Sequence, residues 1–402
     1  MNKLAPVIIA GAGPSGLTAA LLLARRGIAV TVLERETVPF EDPRAGTLHP
    51  PTLDMYEESG VTKRLHELGI ISQKWHFRDR REGLIAEFDL SILADETRYP
   101  YRLQVEQHKV VGVLLEKLRE FPHATVRLGM AVLSVEQHDD HVEVSAGPES
   151  APETFRGQYL IGGDGGRSVV RKSQGIDFEG FTWEERFIVI ATHFDFAREG
   201  FANTCYVSDP EQWAALFKVP GDGLTGIWRV VFPAPGGLTD AELRSEERAR
   251  DMIQSFIRRK EEIDIVFINL YNVHQRVAKN FRKRRVLLVG DAAHVNNPLG
   301  GMGMNFGIHD AVNLAGKLAA VIQDGGSTDL LDLYHRQRQH VAQQFLQTVT
   351  IQNKKILEER DPKVRQKNHD DVRLAASDFQ RAHAYLMQSS MINGVRAAAA
   401  IA

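Results

Sequence analysis

Pro6-Val7-Ile8-Ile9-Ala10-Gly11-Ala12-Gly13-Pro14-Ser15-Gly16 is the stretch on which the reading of this chain turns. A β-branched run breaks at closely spaced glycines, and Leu17–Arg26 continues with helical composition. Ala29–Leu33 is a second apolar strand and stops at Glu34. Strand, glycine turn, helix and strand predict a βαβ unit, whose strands read as continuous apolar runs because both faces of the sheet are covered. Gly11 permits the tight turn, Gly13 lets a pyrophosphate reach the backbone, and Gly16 lets helix and strand pack closely. Pro14 and Ser15 open the helix, whose first N–H groups and partial positive charge favour phosphate. Glu34 stands where a carboxylate accepts a hydrogen bond from an adenosine ribose. The unit predicts a dinucleotide site and leaves FAD and NAD open.

Two later segments narrow the choice. Tyr159–Gly163 runs into Asp164-Gly165-Gly166-Arg167-Ser168, with Arg171 close behind. Further on, the strand Val286–Val289 ends in Gly290-Asp291, and Pro298-Leu299-Gly300-Gly301-Met302-Gly303-Met304-Asn305 leads into a helix from about Phe306 to Ile322. A carboxylate at a strand end, here Asp291, can take a ribityl hydroxyl. The loop's N–H groups and the dipole of the following helix can meet the electron-rich N1–C2=O edge of a reduced flavin.

The ordered set GAGPSG, GDGGRSVVR and GDAAH…NPLGGMGMN resembles the flavoprotein aromatic hydroxylases of the para-hydroxybenzoate hydroxylase family, over about residues 5–340. The resemblance implies an α/β fold in which a Rossmann-like FAD-binding domain is interleaved with an antiparallel-sheet substrate domain, followed by a helical C-terminal tail. It implies FAD as cofactor, NADH or NADPH as a transient electron donor, and hydroxylation of a phenolic or heteroaromatic ring by O2 through a C4a-hydroperoxyflavin. Carried over by position, Asp164 serves FAD and NAD(P)H, and Asp291 serves the ribityl chain. Glu34-Arg35 closes the second strand, Arg44-Ala45-Gly46 lies beside the flavin, and Gln104 precedes the next FAD-domain helix. The Pro298 carbonyl matches one that contacts substrate, and Gly301, Gly303, Met304 and Asn305 form the flavin loop. The chain departs from the para-hydroxybenzoate enzyme at Met302, where that enzyme has lysine, and its substrate-binding serine, arginine and tyrosine find no aligned counterpart. The Trp-x-Trp of flavin-dependent halogenases and the thioredoxin-like C-terminal domain of the phenol hydroxylase branch are missing from the sequence.

With 402 residues, the chain exceeds one simple core. The expected division is FAD-binding domain at 1–74, 100–180 and 275–345, substrate domain at 75–99 and 181–274, and a helical segment at 346–402. A net charge of −3 with only short basic runs predicts no nucleic-acid partner. The single cysteine, Cys205, excludes an internal disulfide and fits a reducing cytoplasm. Leu17–Ala24 falls well short of the ~20 apolar residues that span a bilayer, so no membrane partner is expected. No grouping has metal-ligand spacing in the sequence, and no metal is expected.

His294 has the residue type of a general base, but its place after Gly-Asp reads better as packing beneath the flavin loop. Phe194, Phe196, Tyr206, Trp213, Phe217 and Trp228 are candidates to line an aromatic pocket or to fill a core. Arg229, inside an apolar strand, is the candidate to hold an anionic substrate, with a solvent-facing position as the alternative. Met387, Met391 and Ile392 fit a packing surface or a homodimer contact. Rival functions are another oxidation on the same fold (epoxidation, halogenation, hydroxylation with ring opening), an FAD-free NAD-binding dehydrogenase, and a non-enzymatic binding protein.

Overall fold

The computed structural model describes residues 7–38, 46–223 and 225–402. Val7–Ala10 pairs in parallel with both Val30–Leu33 and Leu160–Gly162. Ala124–Arg127 and Val286–Leu288 extend this sheet on its two sides, and Arg282–Lys283 adds an antiparallel edge. The inner strands are apolar except for Thr31, because helices cover the sheet. The first helix spans Pro14–Arg25, starting earlier than expected from composition because Pro14 supplies a preset φ at its first position. It packs against the long helix Gly303–Gln323, which brings the first and last glycine-rich turns together.

A second, eight-stranded sheet is ordered His294–Val295, Phe267–Ala278, Phe178–Thr192, Ile227–Pro233, Ala214–Val219, Thr204–Ser208, Lys74–Asp79, Gly83–Asp89. It is antiparallel except where Thr204–Ser208 meets Lys74–Asp79. Lys74–Asp79 and Gly83–Asp89 form an antiparallel hairpin that turns at Arg81-Glu82. A long strand runs from Phe178 to Thr192. Phe194 and Phe196 lie beyond it, where the Asp195 side chain caps a short 3-10 turn. The strand Phe267–Ala278 was not anticipated: Asn269, Asn272, His274, Gln275 and Arg276 blur its period of two. The two long strands pass through residues 180 and 275, respectively, with a bulge in their pairing between Thr182 and Arg186.

The tail forms helices Thr348–Glu358, Pro362–Ala375, Phe379–Ser389 and Ile392–Ala400. Leu357, Val372, Leu386, Met387 and Ile392 bury against Trp75, Phe88 and Tyr206 of the large sheet. Met391 packs with Met302 and Phe306 under the late loop. The residues read as a packing surface or dimer contact are therefore buried within the chain itself, and no exposed apolar stripe is left by them. Among the described residues no helix is long and apolar enough to cross a membrane.

Candidate active site

The first turn has backbone contacts too close for any side chain. Gly11 has φ +98°, and a Cβ there would collide with the Gly163 carbonyl; a Cβ on Gly16 would collide with the Gly11 carbonyl. Gly13 is different: the space where its Cβ would stand is open. It is the N-cap of the first helix and provides no side-chain cap, so the helix start remains available to a ligand. Glu34 accepts the Ala12 N–H at 2.7 Å and the Glu36 N–H at 3.0 Å. Its carboxylate is thereby aimed across the turn with lone pairs to spare. Exposed Arg35 pairs with Glu36. Arg44 and Ala45 lie outside the described residues; Gly46 is described and its N-terminal neighbours are not. An uncapped helix start, an open Gly13 and a fixed acidic strand end fit the ADP half of FAD.

The other two motifs close on the same place. Gly163 abuts Gly11 and Gly16, while Gly290 and Gly307 leave room only for Ser15 Oγ. Asp164 accepts Ser168 Oγ at 2.5 Å and the N–H groups of Val169 and Val170 at 2.7 and 3.1 Å. It caps the following short helix, and burial raises its pKa against those hydrogen bonds. Arg171 braces this turn through the carbonyls of Ala292 and Gly166. Asp291 is exposed at the end of its strand, positioned toward solvent rather than core.

His294 is buried, with Nε2 2.7 Å from Asp310 Oδ2; Arg338 donates to Asp310 Oδ1 at 2.6 Å. Asp310 also accepts the Gly290 N–H at 3.0 Å, so this triad braces the turn that presents Asp291. Asp310 was not singled out in the sequence, and Arg338, which reads there with His335, Arg336, Gln339 and His340 as a solvated helix face, is buried. His309 is buried against Thr52 Oγ1 at 2.8 Å, and burial with the Arg338 charge drives its pKa down to about 3. It is neutral at physiological pH.

The late loop is tied down by Asn305. Its Oδ1 accepts the His49 N–H at 3.0 Å and Thr52 Oγ1 at 2.7 Å; its Nδ2 donates to the carbonyls of Thr47 and Gly301 at 2.9 and 2.8 Å. What Asn305 leaves for a flavin is therefore backbone, as do Gly301, Gly303 and Met304 at the start of the long helix. Asn305→Ala is expected to lower stability by about 2 kcal/mol through unmet buried partners, with an unchanged denaturant slope. A urea midpoint equal to that of the wild type would contradict the clamp. The Pro298 carbonyl accepts the Gly301 N–H at 3.0 Å and keeps a second lone pair. Gln104 is buried between Thr47 and Thr204, at 2.8 Å from each hydroxyl, and joins the loop region to the large sheet.

On the substrate side, Arg229 is buried, which settles against the solvent-facing alternative. Its guanidinium approaches Gly46 and lies 5.6 Å from the Phe267 ring. Trp213, Trp228 and Phe196 are fully buried core, whereas Tyr206 and Phe217 pack edge to face at 6.0 Å on the sheet face toward the tail. Sequence reasoning passed over His49, Trp75, Arg102 and Tyr385, which lie on this same face. A grouping with ligand-like proximity does occur among the described residues, at His138, His141 and Glu143 near a hairpin turn, where Arg156 already engages Glu143.

Comparison with known proteins adds four results. The FAD binding domain family model matches residues 4–349. A para-nitrophenol 4-monooxygenase of a Pseudomonas species is 34% identical over 398 residues, covering 98% of each chain. A 6-hydroxy-3-succinoylpyridine 3-monooxygenase of Pseudomonas putida is 35% identical, covering 83% of this chain and 84% of that one. The crystal structure of a p-nitrophenol 4-monooxygenase from Pseudomonas putida superposes with a TM-score of 0.92 at 32% identity, covering 98% and 99% of the two chains.

Proposed function

We infer that this chain, which belongs to the FAD-binding-domain family of para-hydroxybenzoate hydroxylase-like flavoprotein monooxygenases, takes as substrate a single-ring phenol or hydroxypyridine. It is an FAD-dependent enzyme that hydroxylates an aromatic ring with O2 and a reduced nicotinamide. The observation that carries the substrate reading is the meeting of the glycine turns at 11–16, 163–166 and 290–307 beside the aromatic face of the large sheet. The full-length similarity to a nitrophenol monooxygenase and a hydroxypyridine monooxygenase supports the same class.

When bound, FAD supplies the redox chemistry by which two electrons from NADH or NADPH and one O2 yield a hydroxylated ring and water. The chain's own work is positioning and exclusion. The helix start at Gly13, Glu34 and Asp291 would hold the phosphates, ribose and ribityl chain. The backbone of Pro298–Gly303 would lie along the isoalloxazine, with the second lone pair of the Pro298 carbonyl on the substrate side. Asn305, Gln104 and the Asp310 triad keep that backbone still. The aromatic face keeps water from the reacting atoms, where each hydrogen bond is stronger than in solvent. Arg229, beside the flavin segment, would attract a negative group. Buried Cys205 fits a reducing cytoplasmic setting, and a net charge of −3 gives no reason to expect nucleic acid as a partner.

The test is oxygen-isotope incorporation. Purified protein with FAD, NAD(P)H, 18O2 and a panel of single-ring phenols and hydroxypyridines should give substrate-dependent nicotinamide oxidation and one labelled oxygen in the product. Label found only in hydrogen peroxide, across the whole panel, would rule the proposed substrate class out.

A further inference from the structure

Arg102 lies in the short strand Arg102–Gln104, two residues before the Gln104 that ties the late loop to the large sheet. It is 2% exposed, and its Nε and Nη1 have no hydrogen-bond partner. Among the described residues no carboxylate forms an ion pair with it. A buried guanidinium cannot escape its charge by losing a proton, so burial without a counter-charge is strongly unfavourable.

Its neighbours show the same pattern. The guanidinium lies 5.4 Å from the Trp75 ring centroid. Trp75 and Phe88 stack at 4.6 Å, Phe88 and Tyr385 stack at 4.6 Å, and Tyr206 meets Trp75 edge-on at 5.7 Å. The Tyr206 hydroxyl, Trp75 Nε1 and His49 Nδ1 are likewise buried without partners. His49 Nε2 is 2.9 Å from the Gly300 carbonyl, which places the cluster against the late loop. Burial with the Arg102 charge holds His49 well below its ordinary pKa, hence neutral, so Arg102 is the cation that faces these rings. Burial raises the Tyr206 hydroxyl, with the Arg102 charge and the Gly300 backbone opposing, and it stays protonated and able to donate. Buried polar atoms are almost always satisfied in native proteins, so several orphans converging from separate segments call for a common ligand.

We propose that Arg102 and the Tyr206 hydroxyl are the anchor for an oxyanion carried by the aromatic substrate. The anchor rests on the hydroxylase reading and sharpens it: the enzyme selects an ionised phenol, or a hydroxypyridine in its anionic form, over the neutral ring. Arg229 lies elsewhere, beside Gly46, and does not replace it. Arg102 is a binding and specificity residue here, not a group that moves protons.

The experiment compares the dissociation constants of 4-nitrophenolate and its neutral methyl ether, 4-nitroanisole, by absorbance titration of the flavin-loaded protein and its Arg102→Met and Arg102→Lys variants. Losing one partner of a buried charge pair is expected to weaken the phenolate by about 30-fold or more in Arg102→Met, while the ether changes less than about 3-fold. Ligand-free Arg102→Met should melt at or above the wild-type temperature, because an uncompensated charge has been removed. Should Arg102→Met not fold, Arg102→Lys carries the test, with a phenolate-over-ether preference reduced by about 3-fold or more for want of the planar fork. A preference unchanged in either variant, or an equal loss for both ligands, overturns the proposal. A wild-type protein that binds the phenolate in this way yet holds no flavin would instead overturn the hydroxylase reading and leave the anchor standing.

Discussion

Asp310→Ala should cost about 3–5 kcal/mol of folding stability at neutral pH, the largest single loss expected from any side chain of the site. The size follows from what is left behind. Asp310 is fully buried and receives Arg338 Nε at 2.6 Å, His294 Nε2 at 2.7 Å and the Gly290 N–H at 3.0 Å. Removing it strands a buried guanidinium, which cannot discharge itself, whereas exchanging the whole triad for apolar side chains could be nearly neutral. Asp310→Asn keeps the volume and loses the charge, so it separates cavity from electrostatics: most of the loss should persist. The pH dependence fixes the sign. Burial alone would raise the Asp310 pKa, but the charges and hydrogen bonds of His294 and Arg338 outweigh it and hold the group below the ordinary carboxylate value. A lowered folded-state pKa contributes stability that is complete above the unfolded value, about 4, and is lost as pH falls through the folded one. Urea melts should therefore show the gap between wild type and Asp310→Ala at pH 7 and its partial closure below about pH 4. Variants within 1 kcal/mol of wild type at pH 7 would show that the triad is not what braces the Gly290–Asp291 turn.

That triad also shows where sequence reading stops. The glycine turns were legible because their chemistry is local: Gly11, Gly13 and Gly16 sit at fixed offsets after a strand, and the contact of Gly11 with Gly163 follows once both strands lie side by side. Asp310 and Arg338 sit on two helices, 28 residues apart, and no spacing rule joins them. Tyr385 reaches the face that bears Trp75 and Phe88 from the far end of the chain, on a helix whose composition suggested packing alone. The strand Phe267–Ala278 escaped because five of its twelve residues are polar, with Gln275 satisfied by Asn297 and Thr350. Arg102 could have been found. It interrupts Tyr101-Arg102-Leu103-Gln104-Val105 just as Arg229 interrupts its own strand, and the argument that flagged Arg229 applies to it unchanged.

Gly13→Ala should retain wild-type stability and bind flavin more weakly, while Gly11→Ala and Gly16→Ala should lower both stability and flavin affinity. The three positions share a motif but not a constraint. At Gly11, φ of +98° and the Gly163 carbonyl exclude a side chain, and at Gly16 the Gly11 carbonyl does so. Backbone cannot yield as a flexible side chain can, so each alanine forces the strand and helix apart at a cost of roughly 2–4 kcal/mol. At Gly13 the backbone is extended, φ −74° and ψ 176°, and an added methyl meets nothing in the protein. Its effect on apoprotein stability should stay within about 1 kcal/mol, the range for an altered N-cap. The same methyl would stand between the helix start and the pyrophosphate. Charge-assisted hydrogen bonds there contribute about 1.5–3 kcal/mol each, so losing one raises the FAD dissociation constant by roughly 10- to 150-fold. Apoprotein melting and flavin-fluorescence titration measure the two effects separately. Wild-type FAD affinity in Gly13→Ala would move the pyrophosphate away from this helix start. Normal melting in Gly11→Ala would show that the strands can part without harm, and the convergence of the glycine turns would then no longer be what holds the site together.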